Sequence, residues 1–359
     1  MRALVAWADE TSRNLGVRAL AQGSRTLLER VWPDAEVDCQ NFGRGPAPMP
    51  LGRARGMVRE RVTGRRGLLE WLSGYDVVMD TRSGDSLADI YGIPRLLRMT
   101  AFGELAAEAG VSVVLAPQTI GPFGTLRGRA LARWTLRRAD MVMVRDGESA
   151  LCARRLGREP DVRTTDVVFA LPVPEVERSR DIVLNVSGLL WEPGPHVDAA
   201  GYRRTVQDLL TTLVGSGRRV TLLAHVLDSP LADNDVPAVR ALAGQHPGVE
   251  LIVPADLAEV RRVVASAEVV VASRMHACLN AMSVGTPTVP LAYSRKFAPL
   301  LADLGWEHTV DLRTDPDPAA AVLKLLATED LRAQAERVRT RALALLALAE
   351  DALRSLRLP

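Results

Sequence analysis

The chain has 359 residues, 47% of them apolar and 25% charged, with a formal net charge of +2. That length exceeds what one hydrophobic core usually serves, so two domains are expected, and so small a net charge gives no bulk electrostatic case for a nucleic-acid partner. Cys39, Cys152 and Cys278 are odd in number and widely spaced, matching no zinc or disulfide pattern and suiting a reducing compartment.

Residues 2–7 read as a strand, too short and too soon followed by Asp9 and Glu10 to be a signal-peptide core. No stretch approaches the roughly 20 apolar residues that span a bilayer. A cytoplasmic protein is expected, with any membrane contact peripheral, at the inner face. The opening strand leads through a polar turn into a helix over 15–31 and a strand over 35–39. The Pro- and Gly-rich stretch 43–56 is a loop, followed by a helix over 57–72 and a strand over 75–80. Helix 94–109, strand 111–116, basic helix 126–139, strand 140–144 and helix 148–156 complete the first half. This alternation predicts a mostly parallel sheet with helices on both faces.

Leu171-Pro-Val-Pro-Glu-Val-Glu-Arg-Ser-Arg180 reads as an interdomain linker, after which the pattern restarts. Strand 182–186, helix 199–214, strand 219–225, helix 236–245, strand 249–253 and helix 257–266 lead to a strand over 268–273. A helix over 277–284 and a strand over 288–293 complete a parallel βαβ unit. A short segment 309–312 and helices 318–327 and 331–356 close the chain. The expected organisation is a Rossmann-like domain over 1–172, a linker at 173–181, and a second Rossmann-like domain over 182–330. A C-terminal helix within 331–359 is expected to pack on both domains. The fold class is thus α/β, two doubly wound domains facing across a cleft, an architecture of the GT-B type.

Ligands of such sheets bind at the carboxyl ends of the strands. Ser273-Arg274-Met275-His276 sits at one such end, where a helix N-terminus already favours an anion. The neighbouring strand exits through Tyr293-Ser294-Arg295-Lys296, adding cations on the same edge. Arg supplies a planar fork, Lys a point charge and His a proton-transfer group, a set suited to phosphate plus carboxylate. The competing reading is an arginine paired with a nearby acid and a core histidine.

Asp85 and Asp89 follow a buried strand in Arg82-Ser-Gly-Asp-Ser-Leu-Ala-Asp-Ile-Tyr-Gly92, where they suit hydroxyl binding or a base, or else cap turns. Gln118 and Thr119 end another strand, Arg145 with Asp146 a third, and His225 a fourth. Asn14-Leu-Gly16 opens the first helix, while His196, His246 and His308 read as surface residues. Lys296 and Lys324 are the only lysines, so 43 of the 45 Lys and Arg residues are arginine, and a single arginine is no sign of a phosphate site. Arg127, Arg129, Arg133, Arg137 and Arg138 give one helix a basic face, read as a solvated surface or as attractive to anionic lipid or a lipid-linked pyrophosphate. The Arg53–Arg66 segment is open to the same two readings. No Walker loop, dinucleotide fingerprint, His-Glu-x-x-His or Gly-x-Ser-x-Gly occurs.

These segments, in order along nearly the whole chain, resemble the polysaccharide pyruvyl transferase family. The resemblance rests on Asn14-Leu-Gly16, Gly84-Asp85 through Gly92, Gln118-Thr-Ile-Gly-Pro-Phe123, Arg145-Asp146, His225, Ser273-Arg-Met-His276, Gly285-Thr-Pro287 and Tyr293-Ser-Arg-Lys296. Where the family often carries Asp after the first motif this chain has Val17, and its glycine-rich strand exit is here Thr81-Arg82-Ser83. The resemblance implies a GT-B-like fold and transfer of pyruvate from phosphoenolpyruvate to two sugar hydroxyls as a cyclic ketal. It also implies that Arg274, His276 and Arg145 contact phosphoenolpyruvate. Under that reading His276, Arg274 and Asp85 are catalytic, and Arg145, Lys296, Ser273, Tyr293, Asp89, Gln118, Thr119, His225 and Asn14 bind substrate. Phosphoenolpyruvate is a co-substrate, no cofactor or metal is required, and the acceptor is a free glycan or a lipid-linked or nucleotide-linked sugar. The alternatives are a glycosyltransferase using a nucleotide sugar and a non-catalytic glycan- or phosphosugar-binding protein.

Overall fold

The computed structural model describes residues 1–230 and 233–358. The first elements are β1 (Arg2–Ala6), α1 (Leu15–Val31), β2 (Glu36–Gln40), α2 (Ala54–Thr63), α3 (Leu68–Ser73), β3 (Val77–Asp80) and α4 (Ile93–Glu108). There follow β4 (Ser112–Gln118), α5 (Leu126–Arg138), β5 (Met141–Val144), α6 (Gly147–Arg155), β6 (Val162–Arg163), β7 (Arg180–Asn185), α7 (Gly188–Trp191) and α8 (Ala199–Gly215). Next are β8 (Val220–Leu223), α9 (Val236–Gln245), β9 (Glu250–Ile252), α10 (Leu257–Ala265), β10 (Ala267–Ala272) and α11 (Met275–Ser283). The chain closes with β11 (Thr288–Ala292), α12 (Phe297–Leu304), β12 (Val310–Asp311), α13 (Pro318–Leu326) and α14 (Leu331–Ser355).

The strands form two sheets of six, ordered β2-β1-β3-β4-β5-β6 and β12-β11-β10-β7-β8-β9. Every pairing within them is parallel. Parallel pairing needs a crossover between consecutive strands, and the helices supply it. The central strands are buried along their whole length, as sheets covered on both faces require.

Two compact units result. Residues 1–12, 20–170 and 342–359 form unit 1; residues 13–19 and 171–341 form unit 2. In unit 1, one core packs α2, α3 and α4 on β1, β3 and the start of β4 through Met57, Leu72, Phe102, Leu4 and Val78. A second packs α5 and α6 on β4 and β5 through Ala132, Leu136, Ala150, Leu115 and Val142. The last half of α14 belongs to unit 1, where Arg30 on α1 pairs with Glu350 at 3.3 Å. Its first turns belong to unit 2, where Arg332 donates to the carbonyls of Ala267 and Glu268.

Several local features differ from the pattern read in the sequence, in which β6, α7 and α12 have no counterpart. The single helix expected over 57–72 is two, because Gly64 (φ 57°) and Gly67 (φ 68°) turn left-handed between them. The α12 helix was not expected; its Pro299 sits in the first turn, where a missing N–H costs no hydrogen bond. The segment Asn14-Leu-Gly16, expected in the first domain, lies in unit 2: Leu15 N donates to His225 O at 3.1 Å and Leu227 N to Arg13 O at 2.8 Å.

Candidate active site

In unit 2, the all-buried end of β10 delivers Ser273 and Arg274 to the N-terminus of α11. Arg274 is the N-cap residue, but its side chain makes no capping bond and turns to carboxylates instead. Asn185, at the end of β7, fixes this exit. Its Oδ1 accepts from Arg274 N at 3.0 Å, its carbonyl accepts from Ser273 N, and its Nδ2 donates to Leu223 O at 2.9 Å. Ser273 is fully buried and hydrogen-bonded to the Tyr202 hydroxyl at 2.7 Å, which accepts from Ser187 N.

Asp235 is the hub of the site and has no exposed surface. One carboxylate oxygen accepts from Gly188 N at 2.8 Å and from Arg274 Nε at 3.1 Å and Nη2 at 2.6 Å. The other accepts from the amides of His225 at 3.0 Å and Val226 at 2.9 Å. Arg274 Nη2 also meets Asp233, whose side chain is 38% exposed. Burial alone would lower the Arg274 pKa; the charges of Asp235 and Asp233 outweigh it and raise it, so the guanidinium stays charged. The arginine pairing weighed as the competing reading is therefore present.

His276 lies in the first turn of α11 and is partly exposed. A Cβ on Gly16 would stand 2.8 Å from its Nδ1 and 3.0 Å from its Cγ, so only glycine lets the ring lie there. Asn14 shapes that approach by accepting from Gly16 N at 2.9 Å. His225 is 1% exposed, and burial, with the nearby charges of His276 and Arg274, pushes its pKa down to about 3 against the pull of Asp235. It is a neutral imidazole whose Nε2 lies 3.4 Å from Asn280 Nδ2.

Lys296 occupies the N-cap position of α12 without a side-chain capping bond and is partly exposed. Tyr293 is nearly buried and stacks edge-on with His196 (5.4 Å between ring centres) and with Phe297. Burial, then the charges of Lys296 and Arg274, lower the His196 pKa, partly offset by Asp233. Unit 2 thus brings together Asn14, His225, Ser273, Arg274, His276, Tyr293 and Lys296. The sequence reading missed Asp233, Asp235, Asn185 and Tyr202; His196, read as a surface residue, is indeed exposed. A signal for Asp235 was present in Asn234-Asp235-Val-Pro, an acid at a helix start whose carboxylate need not cap its own helix.

In unit 1 the remaining candidates lie at the carboxyl ends of β3, β4 and β5. Arg145 is 1% exposed, with Nη1 on Asp166 at 2.6 Å and Nε on Thr119 Oγ1 at 3.0 Å. Gln118 is fully buried and donates to Asp80 O at 3.3 Å. Asp85 is partly exposed and accepts from the Tyr91 hydroxyl at 2.7 Å. The Asp89 carboxylate holds the next loop, as the cap reading had it. It accepts from Gly124 N at 3.0 Å, Thr125 N at 2.8 Å and Thr125 Oγ1 at 2.7 Å. Slight burial opposes those bonds, but they prevail and lower its pKa, making it a poor base. A feature the sequence reading did not anticipate is the left-handed run Arg82 (φ 46°), Ser83 (φ 50°) and Gly84 (φ 87°). Left-handed backbone at a non-glycine residue costs roughly 1–2 kcal/mol; at this turn the Arg82 guanidinium pairs with the buried Asp80 carboxylate at 3.0 Å.

No curated protein matches the chain significantly. Among solved structures it is similar to the UDP-GlcNAc 2-epimerase of Neisseria meningitidis bound to UDP-GlcNAc. The TM-score is 0.57 at 12% identity, over 99% of this chain and all of that one. The UDP-GlcNAc 2-epimerase of Methanocaldococcus jannaschii gives a TM-score of 0.54 at 10% identity, over 92% and 94% of the two chains. At such identities the likeness describes the fold, which is GT-B-like. The family description is more specific: a polysaccharide pyruvyl transferase model matches residues 14–295, from the Asn14 turn beneath His276 to the exit of β11. The chain belongs to that family.

Proposed function

We propose that this protein transfers pyruvate from phosphoenolpyruvate to two hydroxyls of a sugar, forming a cyclic ketal and releasing phosphate. The observation that carries this reading is the Arg274 cation at the N-terminus of α11 with His276 in its first turn, within the segment matched to the family. Phosphoenolpyruvate brings a phosphate and a carboxylate, and a helix N-terminus with Arg274 and Lys296 complements both. Asp235 stays in place and orients the guanidinium. Asp233, more exposed, is the partner that the incoming anion displaces.

One sugar oxygen bonds to C2 of phosphoenolpyruvate while C3 gains a proton and becomes a methyl group. The C2–O bond to phosphate then breaks, and the second sugar oxygen bonds to C2. Of the two hydroxyl protons released, one balances the proton at C3 and the other leaves with phosphate. His276 supplies or relays the C3 proton, and Asp85 accepts a hydroxyl proton. Arg274 and Lys296 neutralise the leaving phosphate, so the step needs no metal in principle. The acceptor is a glycan or a lipid-linked or nucleotide-linked sugar.

The test is to incubate the protein with phosphoenolpyruvate and a panel of such acceptors, following phosphate release and addition of pyruvate to the sugar by mass. A parallel panel of nucleotide sugars tests the glycosyl-transfer reading, which predicts nucleotide release and indifference to phosphoenolpyruvate. Binding with no turnover on any acceptor would instead fit a glycan-binding protein.

A further inference from the structure

Unit 1 carries an apolar groove that its own core does not fill. Val58 and Arg61 of α2, Leu97 and Ala101 of α4, and Leu131 and Trp134 of α5 line it. Val58 is 57%, Leu97 43% and Trp134 53% exposed; beside them Val62 is 83% and Leu126 80% exposed. Exposed apolar side chains so grouped mark an interaction surface.

The rim is cationic. On α5, Arg127, Leu131, Trp134 and Arg138 repeat at i, i+4, i+7 and i+11, one stripe of a helix that contains no acid. Arg133 and Arg137 lie exposed on the same helix. On α2, Val58, Arg61 and Val62 fall at i, i+3 and i+4, on one side of the helix. The only carboxylate of α2, Glu60, is 3% exposed and turned inward onto the amides of Arg66 and Leu68. Glu104 and Glu108 of α4 each pair with one arginine, Arg138 and Arg61, leaving the other arginines of α2 and α5 in excess.

We propose that this groove seats the protein on an anionic phospholipid surface. A tryptophan and aliphatic side chains enter the acyl boundary while the arginines extend to lipid phosphates. A second copy of the chain is disfavoured as occupant, because a two-fold interface on this face would bring the two arginine rims together. Leu126, the first residue of α5, follows Thr125, which Asp89 ties down; the docked face therefore continues to the loop after β4. A lipid-linked sugar is the acceptor class such docking serves. The docking itself does not depend on the proposed donor, and its test reads no turnover.

The full chain is sedimented with vesicles of phosphatidylcholine alone and of phosphatidylcholine mixed in equal parts with phosphatidylglycerol, at low and high salt. The expected result is binding to the anionic vesicles only, weakened by salt. Arg133→Gln with Arg137→Gln should lower the partition about 25-fold, about fivefold for each arginine at ~1 kcal/mol. Trp134→Ser should lower it about tenfold, with unchanged thermal unfolding showing that the variant is folded. Equal binding to neutral vesicles, no binding to either, or binding indifferent to both substitutions would overturn the proposal. So would a concentration-dependent dimer abolished by Trp134→Ser.

Discussion

Replacing Asp235 with Asn tests the internal logic of the site without reference to any substrate. The carboxylate accepts from three backbone amides and two guanidinium N–H groups, and has no exposed surface. An asparagine keeps one acceptor oxygen and turns an NH2 toward the rest. With that oxygen kept on Gly188 and Arg274, the NH2 faces the His225 and Val226 amides, donor against donor. Removing one partner of a buried ion pair costs about 3–5 kcal/mol. For a chain of 359 residues unfolding as one unit that is a fall in melting temperature of roughly 4–7 °C. Asp233→Asn removes the other carboxylate from the same guanidinium, but a 38% exposed partner contributes only about 0–1 kcal/mol. Urea and thermal unfolding of both variants near neutral pH measure the contrast. If Asp235→Asn were no more destabilising than Asp233→Asn, Asp235 would not be the hub described above.

His225 makes stability pH-dependent. Its folded pKa, pushed down to about 3 by burial, lies below the ordinary histidine value, so the unfolded state binds the extra proton. Stability from this group is present above about pH 6.5 and falls by up to about 1.4 kcal/mol per pH unit as pH drops toward 3. Urea midpoints should fall less steeply over that window in His225→Gln than in the wild type. Gly16→Ala places a Cβ 2.8 Å from His276 Nδ1, forcing the ring to move. It should cost about 1–3 kcal/mol of stability and lower kcat about tenfold, checked by melting and by phosphate release. Asp89→Ala frees the donors of Gly124 and Thr125 and should destabilise the protein by about 1–2 kcal/mol in urea titration.

The alternation of strand and helix was legible because each buried parallel strand is a continuous apolar run between turn residues. Helices 15–31 and 236–245 begin and end where the sequence reading placed them. The exit of β10 at Arg274 was legible for the same reason. What the local pattern could not carry was long-range pairing. Arg274 and Asp235 stand 39 residues apart, and nothing near either names the other. Asn14 reads locally as the start of the first domain's helix, yet its neighbour Leu15 is bonded to His225, two residues past the end of β8. Asp89 lies in a loop rich in polar residues, and only the positions of Gly124 and Thr125 show that its carboxylate is occupied. The left-handed backbone of Arg82 and Ser83 runs against residue preference, so no sequence rule predicts it.

The most direct test of the central claim is phosphate release from phosphoenolpyruvate, with and without sugar acceptor, by the wild type and Arg274→Ala. Charge-assisted hydrogen bonds contribute about 1.5–3 kcal/mol each, so Arg274→Ala should lower kcat/KM by roughly ten- to several-hundredfold. The account predicts acceptor-dependent phosphate release with pyruvate gained by the sugar, and its loss in that variant. Unchanged turnover in Arg274→Ala, or no phosphoenolpyruvate-dependent product from any acceptor while a nucleotide sugar is consumed, would contradict it.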